Sequence, residues 1–97
     1  AGNLASYAGH QFDSNIISQV RYIARTYDLR VSGGHRTAER NAEVGGVANS
    51  HHLTGRAADF VGTSERMQAA ASWARQNGAL EVLIHDAGSG SHLHVAW

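Results

Sequence analysis

Two short segments that lie far apart in the chain hold paired metal-binding side chains, and this separation is the strongest constraint on the fold. The first segment contains His52 and Asp59 near the middle of the chain, and the second contains His92 and His94 near its end. Neutral imidazole and carboxylate suit a borderline cation such as Zn²⁺, which in catalytic sites takes three protein ligands and one water. We interpret His52, Asp59 and His94 as such a set. The fold must then bring the two segments together.

The spacing within each segment predicts how the ligands are presented. His52 and Asp59 lie seven positions apart, which is too far for one helix face, so we expect a loop followed by a strand. His92 and His94 alternate with aliphatic residues. In a strand, both imidazoles would therefore point to one face of a sheet and the aliphatic side chains to the other.

Periodicity elsewhere predicts a single α+β domain over residues 1–97. The predicted helices span about residues 14–27, with a cap at Asp13 or Ser14, and residues 65–76. The predicted strands span residues 29–32, 56–61, 81–85 and 91–97, the last two forming an antiparallel hairpin around a turn at 86–90. We expect a small antiparallel sheet with helices packed on one face and the metal residues on the other.

Two segments have weaker patterns. Residues 1–11 are weakly patterned and are predicted to be a leading segment of the domain. Residues 37–49 are rich in Gly and Asn and predict a long loop with one or two helical turns at most. Long loops in small domains are more often functional than filler, so we expect the second segment to border the site.

Composition argues against several classes of protein. All eight basic residues are arginine, and eight acidic residues offset them, so the net charge is zero. The sequence has no cluster of basic residues of the kind that binds nucleic acid. No apolar run approaches the roughly 20 residues of a membrane-spanning helix, and the first residues do not have the pattern of a signal peptide. The absence of cysteine excludes disulfides and thiolate metal ligands.

The metal-binding segments resemble the motif of a peptidase family. The pattern Ser50-x-His52-x-x-Gly55-x-Ala57-x-Asp59, followed by His92-x-His94, is similar to that of zinc D-alanyl-D-alanine carboxypeptidases and related peptidoglycan peptidases. That group includes VanX-type dipeptidases and phage endolysins, and it shares its fold with the hedgehog signalling domain. Residues 32–37 and 41–49 also look like the segment that carries this family's substrate-binding arginine, so the similarity covers about residues 29–97.

The resemblance implies a role for each matching residue. His52, Asp59 and His94 would hold one Zn²⁺ per chain. Arg36 would bind the carboxylate of the substrate, a task suited to a planar guanidinium that stays charged at any working pH. Ser50 would hydrogen-bond the substrate or orient the loop that carries His52.

The chain departs from many relatives at one position. Those relatives place a glutamate three residues before the last histidine as the general base, and here that position is Ser91. The branch of the family with a His-x-His motif instead has its first histidine near the metal, so we assign the catalytic role to His92. It would either transfer a proton or stabilise the developing oxyanion as imidazolium.

The resemblance implies a zinc metallopeptidase that cuts peptidoglycan stem peptides, with a D-Ala-D-Ala carboxypeptidase as the favoured activity because of Arg36. One alternative is an endopeptidase that degrades the cell wall as a phage endolysin or a tail-associated module. Another is a zinc-binding module without turnover, as in hedgehog domains. We expect a monomer that acts outside the cytoplasm, on the cell wall, as a secreted or virion-associated protein.

Overall fold

The computed structural model describes residues 3–46, 50–87 and 90–97, and over these ranges the chain is an α+β protein, as predicted. The elements, in chain order, are β1 (Leu4–Tyr7), β2 (His10–Asp13), α1 (Ile17–Thr26), β3 (Arg30–Gly33), α2 (Ala38–Glu43), a 3₁₀ helix (His51–Thr54), β4 (Ala57–Val61), α3 (Ser64–Gln76), β5 (Glu81–Ala87) and β6 (Gly90–Ala96). None of the helices in these ranges is long and apolar enough to cross a membrane.

The main sheet has four antiparallel strands in the order β3-β4-β6-β5. The β5–β6 pairing confirms the predicted hairpin, although residues 88 and 89 of its predicted turn lie outside the described part of the chain. Because β6 pairs with β4, the end of the chain lies beside its centre, as the split metal motif requires.

One face of this sheet carries the hydrophobic core. Phe60 of β4 is opposite Leu93 of β6, and Ala58 is opposite Val95; all four are fully buried. The apolar sides of α1 and α3 belong to the same buried cluster, with Val20, Ile23, Met67, Ala70, Ala71 and Ala74 as members. Since side chains alternate along a strand, Asp59 and His94 point to the opposite face.

The first helix begins differently from the prediction. The predicted cap at Asp13 or Ser14 is wrong, because α1 begins at Ile17 and its N-cap, Ile16, has no side-chain cap bond. Asp13 instead accepts a hydrogen bond on Oδ1 from the backbone N–H of Asn15, at 2.8 Å. This short local bond competes with helix formation, so a turn precedes the helix.

The leading segment contains a hairpin that the pattern of the sequence does not predict. β1 and β2 pair as a separate two-stranded sheet. Of the residues in these two strands, only Phe12 is both apolar and fully buried. The two strands therefore lack the alternation of apolar and polar residues by which a strand is recognised in a sequence. The hairpin supports the site-bearing segments, because the carbonyl of Gln11 accepts from the N–H of His35 at 2.7 Å and the N–H of Asp13 donates to the carbonyl of Gly55 at 2.8 Å.

A 3₁₀ helix (His51–Thr54) precedes β4, and the sequence analysis did not predict it. Ser50 is its N-cap, and the hydroxyl oxygen of Ser50 accepts from the N–H of His52 at 3.2 Å. Gly55 ends it with a left-handed backbone, φ 75°, which then leads into β4. A Cβ at Gly55 would lie 2.8 Å from the backbone nitrogen of Asp13, so both conformation and space favour glycine here.

We predict that Gly55→Ala destabilises the protein more than Gly45→Ala. Both glycines have nearly the same left-handed φ, 75° and 73°, but a Cβ at Gly45 has nothing within 4 Å. Gly45→Ala should therefore cost only the conformational strain of about 1–2 kcal/mol, and Gly55→Ala should cost more because of the added clash. Urea denaturation of both variants measures the difference. Equal losses of stability would contradict the close packing at Gly55.

Candidate metal centre

Three side chains that could hold a metal ion converge on the face of the sheet opposite the core. His52 comes from the 3₁₀ helix, Asp59 from β4 and His94 from β6. Each offers one donor atom, and the three atoms lie within 4.8 Å of one another. The Nε2 atom of His52 is 3.2 Å from Oδ2 of Asp59, and the Nδ1 atom of His94 is 3.2 Å from Oδ1 of Asp59. The structure therefore brings the three predicted ligands together.

This donor set fits a zinc ion. Bonds of about 2.1 Å in tetrahedral geometry place neighbouring donor atoms roughly 3.4 Å apart. Each imidazole nitrogen lies 3.2 Å from one oxygen of Asp59, which is close to that value, and the three donor atoms lie within 4.8 Å of one another. The donor atoms would move closer together on binding one ion. Two imidazoles and one carboxylate are also a donor set that occurs in catalytic zinc sites with an open position.

The His52 ring is held firmly by its surroundings. It is 2% exposed, and its Nδ1 atom lies 2.8 Å from the backbone carbonyl of Gly34. Because a carbonyl can only accept, Nδ1 carries a hydrogen, and Nε2 is the ring nitrogen that faces Asp59. A ligand histidine commonly has its second nitrogen bonded in this way.

Asp59 lies between the two imidazoles in a tightly packed position. Burial would raise the pKa of its carboxyl, but hydrogen bonds and charge interactions with His52 and His94 outweigh this effect and hold the pKa well below its usual range. Gly33 is its partner on β3, and a Cβ there would lie 2.8 Å from Oδ2 of Asp59. The glycine thus leaves room for the carboxylate.

His94 lies between two carboxylates. Its Nδ1 atom faces Asp59, and its Nε2 atom is 3.0 Å from Oε1 of Glu81. The hydrogen bond to Asp59 raises the pKa of His94 most; burial opposes the shift, and the bond to Glu81 adds to it. In the metal-free protein the protonated ring is therefore favoured.

A cavity of about 600 Å³ opens beside these three residues. His92 and Arg36, two further residues predicted from the sequence, also line it. Its other walls are Val44, Gly45, Gly46, Glu81, Leu83 and His85. The segment after α2 therefore borders the site, as expected from its position in the predicted long loop.

His92 occupies the same face of β6 as His94. Its ring packs edge-on against that of His85, with the ring centroids 4.1 Å apart. Burial lowers the pKa of His92; attraction to Asp59 opposes this, and repulsion from His85 adds to it. The lowered pKa favours a neutral ring, which can accept a proton.

Arg36 and Ser50 contact each other at the edge of the cavity. The Nη2 atom of Arg36 donates to the hydroxyl oxygen of Ser50 at 3.3 Å, and the backbone N–H of Arg36 donates to the carbonyl of His52 at 3.0 Å. The buried Nε atom of Arg36 has no hydrogen-bond partner in the described part of the chain. Since Ser50 also caps the 3₁₀ helix, it connects Arg36 to the segment that carries His52.

Glu81 is a site residue that the sequence analysis missed. It lies on β5, and its carboxylate contacts both His94 and His51. The available signal was the predicted hairpin, since alternation puts Glu81, Leu83 and His85 on the face shared with His92 and His94. In such a hairpin a long side chain reaches a diagonal neighbour on the next strand, but the register had to be known first.

Comparison with known proteins agrees with this geometry. The fold and site define a protein with a His–Asp–His cluster of the kind that holds zinc in hydrolases. The family model described as Peptidase M15 matches residues 8–96, and the chain belongs to this family of zinc peptidases. The chain is also 36% identical, over 81 residues, to the zinc D-Ala-D-Ala carboxypeptidase of Streptomyces albus G. That alignment covers 82% of this chain but only 32% of the carboxypeptidase.

We predict that Asp59→Asn weakens zinc binding by more than about 100-fold, since loss of a charged ligand should exceed the 10–100-fold effect of residues that only orient ligands. Competition with a coloured chelator measures the affinity. Asp28→Asn is the matched control, because Asp28 is an exposed aspartate that pairs with Arg66. Unchanged zinc affinity in Asp59→Asn would remove Asp59 from the ligand set.

We also predict that the metal-free protein loses stability as the pH rises above the ordinary histidine pKa of 6.5. The pKa of His94 is raised above its ordinary value of 6.5, so its stabilising contribution is complete below that value and is lost as the pH rises through the raised pKa. Urea denaturation of chelator-treated protein across this range measures the loss. In His94→Gln the loss should be smaller, and an equal loss in this variant would contradict the assignment.

Proposed function

We propose that this chain is a zinc-dependent peptidase that hydrolyses peptide bonds of peptidoglycan stem peptides, with D-Ala-D-Ala carboxypeptidase activity. One observation carries the proposal: the His52–Asp59–His94 cluster, His92 and Arg36 all line the same cavity. The chain spans about a third of the length of the carboxypeptidase it matches, so that protein's activity enters here as part of the proposal.

In this proposal His52, Asp59 and His94 hold one zinc ion. When bound, zinc supplies Lewis-acid chemistry, polarising a carbonyl group and making a water molecule more acidic. The protein's part is to fix the three donors on a sheet and a capped 3₁₀ helix. Metal binding requires both imidazoles to be neutral and the carboxyl group of Asp59 to be ionised, so Asp59 supplies the negative charge of the site.

His92 is the proposed catalytic residue. It lies in the cavity on the strand that carries His94, and its lowered pKa keeps the ring available to accept a proton. It would take a proton from the attacking water and release it to the leaving amine, or stabilise the oxyanion as imidazolium. Ser91 has no carboxylate to offer at the position where many relatives have glutamate, which leaves this work to His92.

Arg36 is the proposed binding residue for the terminal carboxylate of the substrate. Its buried Nε–H has no hydrogen-bond partner within the described residues, and Arg36 lines the cavity. A carboxylate could accept from Nε and one terminal nitrogen at once, which is the bidentate geometry that arginine favours. A group that binds a terminal carboxylate in the same cavity as the metal cluster favours a carboxypeptidase over an endopeptidase. Ser50 would orient Arg36 and His52, which it contacts, or hydrogen-bond the substrate.

A zinc-binding module without turnover is the second candidate. The observation that favours it is Ser91, which stands in place of the family's common general base. An endopeptidase of the phage endolysin or tail-associated kind would use the same chemistry on a different bond. For either enzyme we propose a monomer that acts on the cell wall, outside the cytoplasm.

The proposed function can be tested by digestion of purified peptidoglycan peptides with zinc-loaded protein, followed by mass spectrometry. Release of single alanine residues that stops on addition of a chelator is the expected result. Separation of cross-linked fragments would indicate an endopeptidase instead. No cleavage by fully zinc-loaded protein would favour the non-catalytic module.

We predict that His92→Ala keeps its zinc and loses turnover by about 100-fold or more, which is the usual range for removal of a general acid–base group. Zinc content and turnover are measured on the same sample. His10→Ala is the control, because His10 lies on β2 and is not among the residues that line the cavity. Full activity in His92→Ala would refute the catalytic role.

A further inference from the structure

The two histidines of the candidate metal centre are oriented in different ways. The ring nitrogen of His52 that points away from Asp59, Nδ1, donates to the backbone carbonyl of Gly34 at 2.8 Å. The corresponding nitrogen of His94, Nε2, faces a side chain instead: Oε1 of the Glu81 carboxylate lies 3.0 Å away. Glu81 lies on β5, and its side chain reaches across to β6 on the face that carries the site. The orientation of His94 therefore depends on one replaceable carboxylate.

We propose that Glu81 is a positioning residue of the metal centre, whose carboxylate accepts the Nε2–H of His94 and so directs the Nδ1 lone pair toward the metal. This inference rests on zinc binding as set out under the proposed function, but it does not rest on peptidase activity. A carboxylate that bonds the far nitrogen of a ligand histidine fixes the tautomer and increases the basicity of the ligand. Neither the ligand set nor the catalytic assignment above includes Glu81.

Glu81 is poorly placed to be a ligand itself. In the described part of the chain, the group of donor atoms that lie within 4.8 Å of one another contains His52, Asp59 and His94 but not Glu81. Its carboxylate approaches the opposite edge of the His94 ring from the edge that faces Asp59. The imidazole therefore lies between Glu81 and the metal position.

A second contact connects Glu81 to the other ligand-bearing segment. Its Oε2 atom lies 3.8 Å from Nε2 of His51, the residue just before His52 in the 3₁₀ helix. The side chains of His51 and Glu81 are 38% and 45% exposed, so water screens this pair. We expect it to contribute little by itself, and the hydrogen bond to His94 to carry the effect.

The test compares zinc affinity in Glu81→Ala, Glu81→Gln and the unaltered protein by competition with a chelator. Glu81→Ala should bind zinc 10–100-fold more weakly, the usual effect of losing the partner of a ligand histidine. Glu81→Gln keeps an oxygen that can accept from Nε2–H, so it should lose less. His51→Ala should change the affinity little, and Glu65→Ala on α3 controls for loss of an exposed carboxylate.

Nitrogen-15 NMR of the zinc-loaded protein gives a readout that is independent of activity. In the unaltered protein His94 should show zinc on Nδ1 and hydrogen on Nε2. In Glu81→Ala a second form, with zinc on Nε2, should appear. Circular dichroism shows whether each variant is folded.

Two results would overturn the proposal. The first is unchanged zinc affinity and unchanged His94 coordination in folded Glu81→Ala; if turnover is lost in that case, Glu81 takes part in the chemistry instead. The second is an unaltered protein that binds no zinc. An unaltered protein that binds zinc but cleaves no peptide would refute only the proposed function.

Discussion

The antiparallel pairing of β4 with β6 is the constraint on which the rest of the site depends. It places Asp59 directly opposite His94, and its neighbouring pairs, Ala58 with Val95 and Phe60 with Leu93, are buried in the core. A shift of one residue would turn the carboxylate and the imidazole into the core and the apolar side chains toward the cavity. The same register therefore serves both the hydrophobic core and the metal centre, and burial on one face fixes the geometry on the other.

The metal cluster is also an electrostatic unit in the absence of metal. A largely buried carboxylate is costly unless it is paired and hydrogen-bonded. Asp59 meets this requirement through His52 and His94, which is why the pKa of its carboxyl falls despite burial. The cost of assembling the donors is thus offset within the apoprotein, and zinc would replace protons in a site that is already formed.

The three ligand-bearing segments are positioned by short-range bonds around this pairing. The hairpin of β1 and β2 holds the backbone of His35 and Gly55, the Ser50 hydroxyl caps the 3₁₀ helix, and Gly33 leaves space beside Asp59. Each of these features positions a segment that carries a metal-binding side chain, and none of the bonds involves the metal-binding atoms themselves. Membership of the Peptidase M15 family agrees with this arrangement, since the match extends over residues 8–96 and includes the supporting hairpin from its turn onward.

The sequence by itself determined the fold class, the β5–β6 hairpin and the three side chains that could hold a metal ion. His52, Asp59 and His94 were predictable because the chemistry of metal ligands is carried by residue type, and strand alternation shows which side chains share a face. The two long helices followed from their apolar periodicity, although the start of α1 did not, because the Asx turn at Asp13 favours a different local bond.

Only the tertiary structure decided which neighbours support the ligands. Glu81 on β5 reaches diagonally to His94 on the neighbouring strand β6. Phe12 of the β1–β2 hairpin belongs to the hydrophobic core, and His52 bonds to a backbone carbonyl. Each of these contacts joins residues far apart in sequence, or involves the backbone, which has the same chemical groups at almost every position. Such contacts are set by register and packing, and local sequence patterns do not encode them.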